Sequence, residues 1–259
     1  MSDIIQIQFW SLASAYVFIL ILLFIVRSKK IGHEGQIILA CIRMTIQLIL
    51  VGYILEYIIE NPTPLYTIMA IVIMEVFAVK NIYDRIDEDL NKKMKRIIAI
   101  SMVSGTTISI TFFLFVVVRI EPWYLTQYFI PISGMLIGNS MTGISLGAER
   151  LSSGIRNNTN RIETALMLGA NAKQATAEIV RRAFYAAILP TINSMMGMGI
   201  IFIPGMMTGQ ILSGTSPVTA IKYQIAIMIG ILGSVTLTVF LLVHLGYKTY
   251  FNDRIQIEK

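Results

Sequence analysis

An all-α fold, a polytopic bundle of about seven transmembrane helices, follows from three features of the 259-residue sequence. Hydrophobic residues make up 55% of it and charged residues 14%, with a mean hydropathy of +0.71, a balance that belongs to a membrane protein rather than a soluble globule. The apolar residues come in runs of about 20, the length a helix needs to cross about 30 Å of hydrocarbon. The charges fall mostly between those runs. For the same reason the net charge of +6 and the pI near 9.4 do not point to nucleic acid. A single cysteine, Cys41, excludes an internal disulfide framework.

The first run, residues 9–26, meets Arg27, Lys29 and Lys30. With no basic segment before it and no small-residue cleavage site after it, it reads as a retained span and not a removed signal peptide. A second span over 37–59 is stopped by Asn61-Pro62-Thr63-Pro64, a helix breaker and tight turn. A third, over 65–79, leads into a charged loop at 80–96. The fourth and fifth occupy 97–118 and 128–148. No charge occurs from Ala183 to Ile221, too long a stretch for one perpendicular crossing. Pro204-Gly205 and Ser213-Gly214-Thr215-Ser216-Pro217 divide it into a sixth span at 183–203 and a loop or half-entering segment at 204–215. That segment must pack against protein, because bare irregular backbone is not tolerated in lipid. Ser216-Pro217 then starts a last span ending near 245.

Lysine and arginine concentrate at 27–30, 80–96, 149–182 and the C-terminal segment. The positive-inside rule puts those segments in the cytosol, the N-terminus outside and the C-terminus inside. The connections are too short for a soluble domain, so residues 1–259 are expected to form one transmembrane domain, multi-pass in the cell (inner or plasma) membrane.

The longest polar interruption, 149–182, has the grammar of two short helices meeting at a glycine. Asn160 with Glu163 three residues on forms a capping-box pattern. Ile162, Ala165, Leu166 and Gly169 then share one face. Gly169 suits the left-handed position that ends a helix, and Asn171 with Gln174 caps a second helix towards Arg181 and Arg182. A compact knob of small and aliphatic side chains, including Leu168, is what a groove on a soluble partner accepts.

Catalytic signatures are missing. There is no G-x-x-x-x-G-K-[ST] phosphate loop and no H-E-x-x-H, and His33 and His244 lie far apart in sequence. Polar groups within the spans are the candidates for a translocation path, since ionisable and amide side chains at membrane depth need partners or water. They are Arg43 with Gln47 at i, i+4, Glu75 within reach of Arg43 or Lys80, Asn139 and Ser140 beside Gly134, Gly138 and Gly143, and Asn193 after Pro190. Met206 and Met207 sit in the 204–215 segment with Gln210. Thioethers suit Cu(I), whereas iron prefers oxygen, so the methionines read as flexible packing at an outer gate. No ligand cluster identifies a metal.

Glu163-Thr164-Ala165 with Gly169 resembles the E-A-A-x-x-x-G element of ATP-binding-cassette permeases, with Thr164 where alanine is usual. Pro131-Ile132-Ser133-Gly134-Met135-Leu136-Ile137-Gly138-Asn139-Ser140-Met141 is similar to one hallmark of the Fet-type iron-export permeases, a family that takes in plant aluminium-tolerance permeases. Pro204-Gly205-Met206-Met207-Thr208-Gly209-Gln210, followed by Pro217 and Ala220-Ile221-Lys222-Tyr223-Gln224, resembles the other. The resemblance covers roughly residues 35–250. It implies a permease working as a homodimer with two separate ATPase subunits, which hold the ATP and Mg while this chain binds no cofactor. It also implies a metal ion or chelate, iron foremost, leaving the cytosol. In that reading Glu163, Ala165, Leu166, Leu168 and Gly169 form the coupling element contacted by the ATPase. The rival expectation is an ion-coupled secondary transporter or channel using Arg43, Glu75 or Glu56.

Overall fold

The computed structural model describes residues 8–86, 90–252 and 256–257, with the backbone alone at Phe9. The chain divides into two units, Met1–Asn61 with Leu212–Gly214, and Pro62–Ile211 with Thr215–Lys259.

In the first unit, α1 (Phe9–Ala15) and α2 (Val17–Ser28) are separated only by Tyr16, whose hydroxyl hydrogen-bonds the Thr45 hydroxyl. Positive φ angles at Lys30, Gly32 and His33 turn the chain into α3 (Glu34–Glu60). At 27 residues this helix spans about 40 Å, ample for a bilayer. Its side chains are almost all exposed, Arg43 and Gln47 included, and Ile58 is its one buried residue.

The second unit starts with α4 (Pro64–Arg85), where the Thr63 hydroxyl accepts the Tyr66 N–H at 3.4 Å and Pro64 pre-sets the first turn. It runs past its expected end at 79. Next, α5 (Lys92–Phe112) is capped by Asn91, whose Oδ1 accepts the Met94 N–H at 2.6 Å, and it continues as a π-helical turn over Phe113–Val118. The 32 residues of α6 (Thr126–Asn157) extend well beyond the expected limit at 148. After α7 (Thr159–Met167) come α8 (Ala172–Gly197), α9 (Gly205–Leu212) and α10 (Pro217–Gly246). The core forms where α10 packs on α5 and α6, with α4 and α8 against α6. Glycines set these approaches: a Cβ at Gly105 would lie 2.5 Å from Thr238 Cγ2, and one at Gly143 would lie 2.7 Å from Val235 Cγ1. Backbones draw close where a side chain is missing.

Among the described residues, six helical stretches are long and apolar enough to cross a membrane: Trp10–Ser28, Glu34–Glu60, Pro64–Arg85, Lys92–Val118, Thr126–Asn157 and Pro217–Tyr250. The expected sixth span at 183–203 takes another form. The helix expected after Asn171 and that span fuse into the single α8, which ends at Gly197, so its uncharged part is short and carries Pro190, Thr191, Asn193 and Ser194. Of the loop or half-entering segment expected at 204–215, Gly205–Leu212 is helical, as α9. The predicted start at Ser216-Pro217 is the observed start of α10.

Candidate functional site

The polar interruption folds as a helical hairpin. Only Asn158 separates α6 from α7, and its side-chain amide donates back to the Gly154 carbonyl at 2.7 Å. The Thr159 hydroxyl likewise turns back, 3.0 Å from the Arg156 carbonyl. These polar groups finish α6 and leave α7 without a side-chain cap. The capping box expected at Asn160 and Glu163 is therefore not formed. Asn160 lies within α7, and its carbonyl accepts the Thr164 hydroxyl at 2.8 Å.

The other end of α7 matches expectation closely. Gly169 has φ +93°, the Gly169 N–H reaches the Leu166 carbonyl, and the Ala170 N–H reaches the Ala165 carbonyl, both at 3.0 Å. That pair of bonds is a Schellman termination, which needs a left-handed residue at the glycine. Asn171 opens α8 with the expected box: its Oδ1 accepts the Gln174 N–H at 2.9 Å, and Gln174 Oε1 accepts the Asn171 N–H at 3.0 Å. Glu178 on α8 clasps Arg161 on α7 at 3.1 Å and also pairs with Arg182. Arg182 first, then Arg161, holds its carboxyl below the usual carboxylate range.

Ile162 anchors this hairpin, 1% exposed in the core. Ala165 and Glu163 are half-buried, and Leu166 packs on the chain's own core. What α7 presents at its tip is Met167 and Leu168, 85% and 84% exposed. Leu166, expected to supply the apolar contact together with Leu168, leans inward, and Met167 stands out beside Leu168 in its place. Its signal was its place beside Leu168, just before the turn at Gly169.

Within the spans, Glu75 is buried, and its Oε1 hydrogen-bonds the Thr106 hydroxyl of α5. Within this unit Lys80, the partner that spacing along α4 offered, makes no ion pair with Glu75 among the described residues. The hydroxyl of Thr106 also lies 2.6 Å from the Met102 carbonyl. The second carboxylate oxygen, Oε2, is buried with no hydrogen-bond partner among the described residues. Thr106 carried a faint signal, as one of a cluster of small polar residues (Ser101, Ser104, Gly105, Thr106, Thr107) inside an apolar span.

Ser140 and Asn139 separate onto different faces. Ser140 is buried against Ser234 of α10, Oγ to Oγ 2.9 Å, so it joins two helices. Asn139 is exposed, its amide donating to the Met135 carbonyl of its own helix at 2.8 Å. Gly138 meets nothing, so the close seam runs through Gly143 and Gly147 instead of Gly134, Gly138 and Gly143. Asn193 is exposed on α8, and Met206, Met207 and Gln210 are half-buried on α9. Glu75, Asn139, Ser140 and Asn193 share no hydrogen bond with one another among the described residues. Among the described residues no three His, Cys, Asp or Glu side chains gather into a group that could hold a metal ion.

The family model described as "Uncharacterised protein family (UPF0014)" matches residues 9–251. The chain belongs to the UPF0014 family. It is 38% identical over 229 residues to "UPF0014 membrane protein slr1647" of Synechocystis sp., covering 88% of each chain. The "Probable iron export permease protein FetB" of Escherichia coli is 32% identical over 247 residues, 95% of this chain and 93% of that one. "Protein ALUMINUM SENSITIVE 3" of Arabidopsis thaliana is 32% identical over 246 residues, 95% of this chain and 88% of its own. No solved structure matches the chain. The resemblance read from the two hallmark segments therefore holds at the level of family, and this UPF0014 chain is a multi-pass membrane protein.

Proposed function

We propose that this chain is the membrane-spanning permease subunit of an ATP-binding-cassette transporter, exporting iron or another metal from the cytosol and driven by a separate ATPase subunit. The observation that carries the reading is the tip of α7. Two large apolar side chains, Met167 and Leu168, stand exposed on a short helix held by the Ile162 anchor, the Schellman turn and the Glu178 clasp. A rigid apolar knob outside the apolar spans fits a groove on a soluble partner. The cationic 149–182 segment faces the cytosol by the positive-inside rule, where ATP is available. Closure of the nucleotide-bound ATPases moves the knob, and the long α6 and α8 on either side carry that motion into the bundle. The likeness to a relative named as an iron export permease supports metal as cargo. Glu75, Asn139, Asn193 and the α9 residues Met206, Met207 and Gln210 are then candidate contacts along the way. Carboxylate and amide oxygens suit iron better than the thioethers do. The complex holds two copies of this chain, because one copy is too small a bundle to wall a path.

Co-purification with the ATPase subunit and metal-stimulated ATP hydrolysis in vesicles test the reading, with iron, copper and manganese compared as cargo. Leu168→Glu combined with Met167→Glu is expected to weaken ATPase association by about tenfold or more while the protein stays in the membrane. Gly169→Glu, which strains a left-handed position, is expected to uncouple hydrolysis from transport. Full association and normal stimulation in both variants would refute the coupling role.

One observation favours a second reading, an ion-coupled secondary transporter: the buried Glu75 with its unpartnered Oε2. Vesicles holding this chain alone separate the two. Transport driven by an imposed ion gradient, with no ATPase present, establishes the second and removes the first.

A further inference from the structure

A cleft of about 610 Å3 opens between α6, α7 and α8, and its rim is strongly basic. Arg150 of α6, Arg161 of α7, and Arg181 and Arg182 of α8 all line it, facing the single carboxylate of Glu178. That carboxylate is already engaged by Arg161 and Arg182. Neither Arg150 nor Arg181 has an ion pair among the described residues. Four guanidinium groups around one spent carboxylate leave a site in deficit of negative charge.

The depth of the cleft says where an anion would come from. On α6, Arg150 stands just past the apolar stretch that ends at Ala148. On α8, Arg182 is the last charge before the uncharged stretch 183–221. On both helices the charged part therefore gives way to an uncharged one at the level of the cleft. Past the arginines along α8, at the start of that uncharged stretch, Ala183 and Ala186 also line the cleft. There α8 lies hard on α6, since a Cβ at Gly154 would fall 2.6 Å from Ile179 Cγ2. Arginines beside alanines, where charge gives way to an uncharged stretch, match a phosphate group with an acyl chain next to it. Guanidinium forks suit phosphate oxygens bidentately, which a lysine cluster does not.

We infer that this cleft is a binding site for a phosphate-bearing anion, either the headgroup of an anionic phospholipid or free phosphate from the cytosol. The site does not depend on what drives transport, so its test and the ATPase co-purification fail separately.

The test uses the full chain in detergent, with native mass spectrometry after addition of phosphatidylglycerol or phosphatidylcholine, and calorimetric titration with inorganic phosphate. Preferential retention of phosphatidylglycerol with weak phosphate binding identifies the headgroup as the occupant. Phosphate binding of equal strength without lipid identifies the free anion. Either supports the site, provided that R150Q/R181Q lowers the affinity by about tenfold or more, R150K/R181K loses less, and K29Q/K30Q loses nothing. Should the double variant not fold, R181Q alone carries the same comparison. The inference is overturned if the native chain prefers neither anion, or if R150Q/R181Q binds as the native chain does. It is also overturned if that variant loses only its association with the ATPase subunit, which would assign the arginines to an acidic protein surface.

Discussion

Helices α3 and α6 are both long enough to cross a bilayer, yet they use their sequences in opposite ways. The more apolar of the two is α3, and none of its membrane-length window is buried within its own unit; the corresponding window of the less apolar α6 is 56% buried. In water the ranking would be reversed. In lipid an apolar side chain gains little by leaving one hydrocarbon surface for another, so apolarity does not mark the inside. Small and polar residues do. Helix α6 carries Ser133, Ser140, Gly143, Ser145, Gly147 and Ser152 on buried positions, whereas α3 offers bulky Ile, Leu and Tyr side chains all round.

That contrast is open to direct attack. Gly143→Leu drives a branched side chain into Val235 and Val239 and is expected to cost about 3 kcal/mol, read from steric trapping or denaturant unfolding in bicelles. Unchanged stability there would remove the argument that α6 is held by close approach. Ser140→Ala breaks the bond to Ser234 and is expected to cost about 0.6 kcal/mol, the scale of one interhelical hydrogen bond in a membrane.

Smaller still is the effect of the clasp beyond the end of α6, where charge takes over from packing. Because Arg182 and Arg161 lower the folded-state value of Glu178, the pair's contribution is fully present above the ordinary carboxylate range. It is lost as pH falls through that lowered value. The difference in thermal midpoint between the native chain and Glu178→Gln should therefore hold steady near neutral pH and shrink on acidification; a difference that grows with acid contradicts the pairing. Least of all, Leu48→Ala on the exposed face of α3 is expected to shift stability by no more than about 0.5 kcal/mol. A loss of several times that would mean α3 is buried against protein after all.

Which parts were legible follows from the same physics. The stops at Asn61-Pro62-Thr63-Pro64 and at Gly169 were readable because proline and a left-handed glycine act through the local backbone. The Asn171–Gln174 box was equally local. The Asn160–Glu163 box had the same pattern but failed, because Asn158 and Thr159 spend their side chains on the end of α6. Glu75 was marked as an exception by its charge alone, but its partner, Thr106, lies on another helix, where spacing along one helix says nothing.

The chain's residence in the membrane, six of the seven expected spans among the described residues and the place of the polar hairpin were all determined by the sequence itself. Each depends on composition over about 20 residues or on one turn of backbone. Tertiary structure alone decided that Leu166 turns inward while Met167 and Leu168 stand out, that Ser140 bonds to Ser234 of another helix, and that four arginines from three helices meet in one cleft. For Ser140 the reason is that a membrane helix can be apolar on every side, so its sequence lacks the amphipathic period that in a soluble helix tells the inner face from the outer; for the hairpin it is that α7 folds back between α6 and α8, which spacing along one helix does not record.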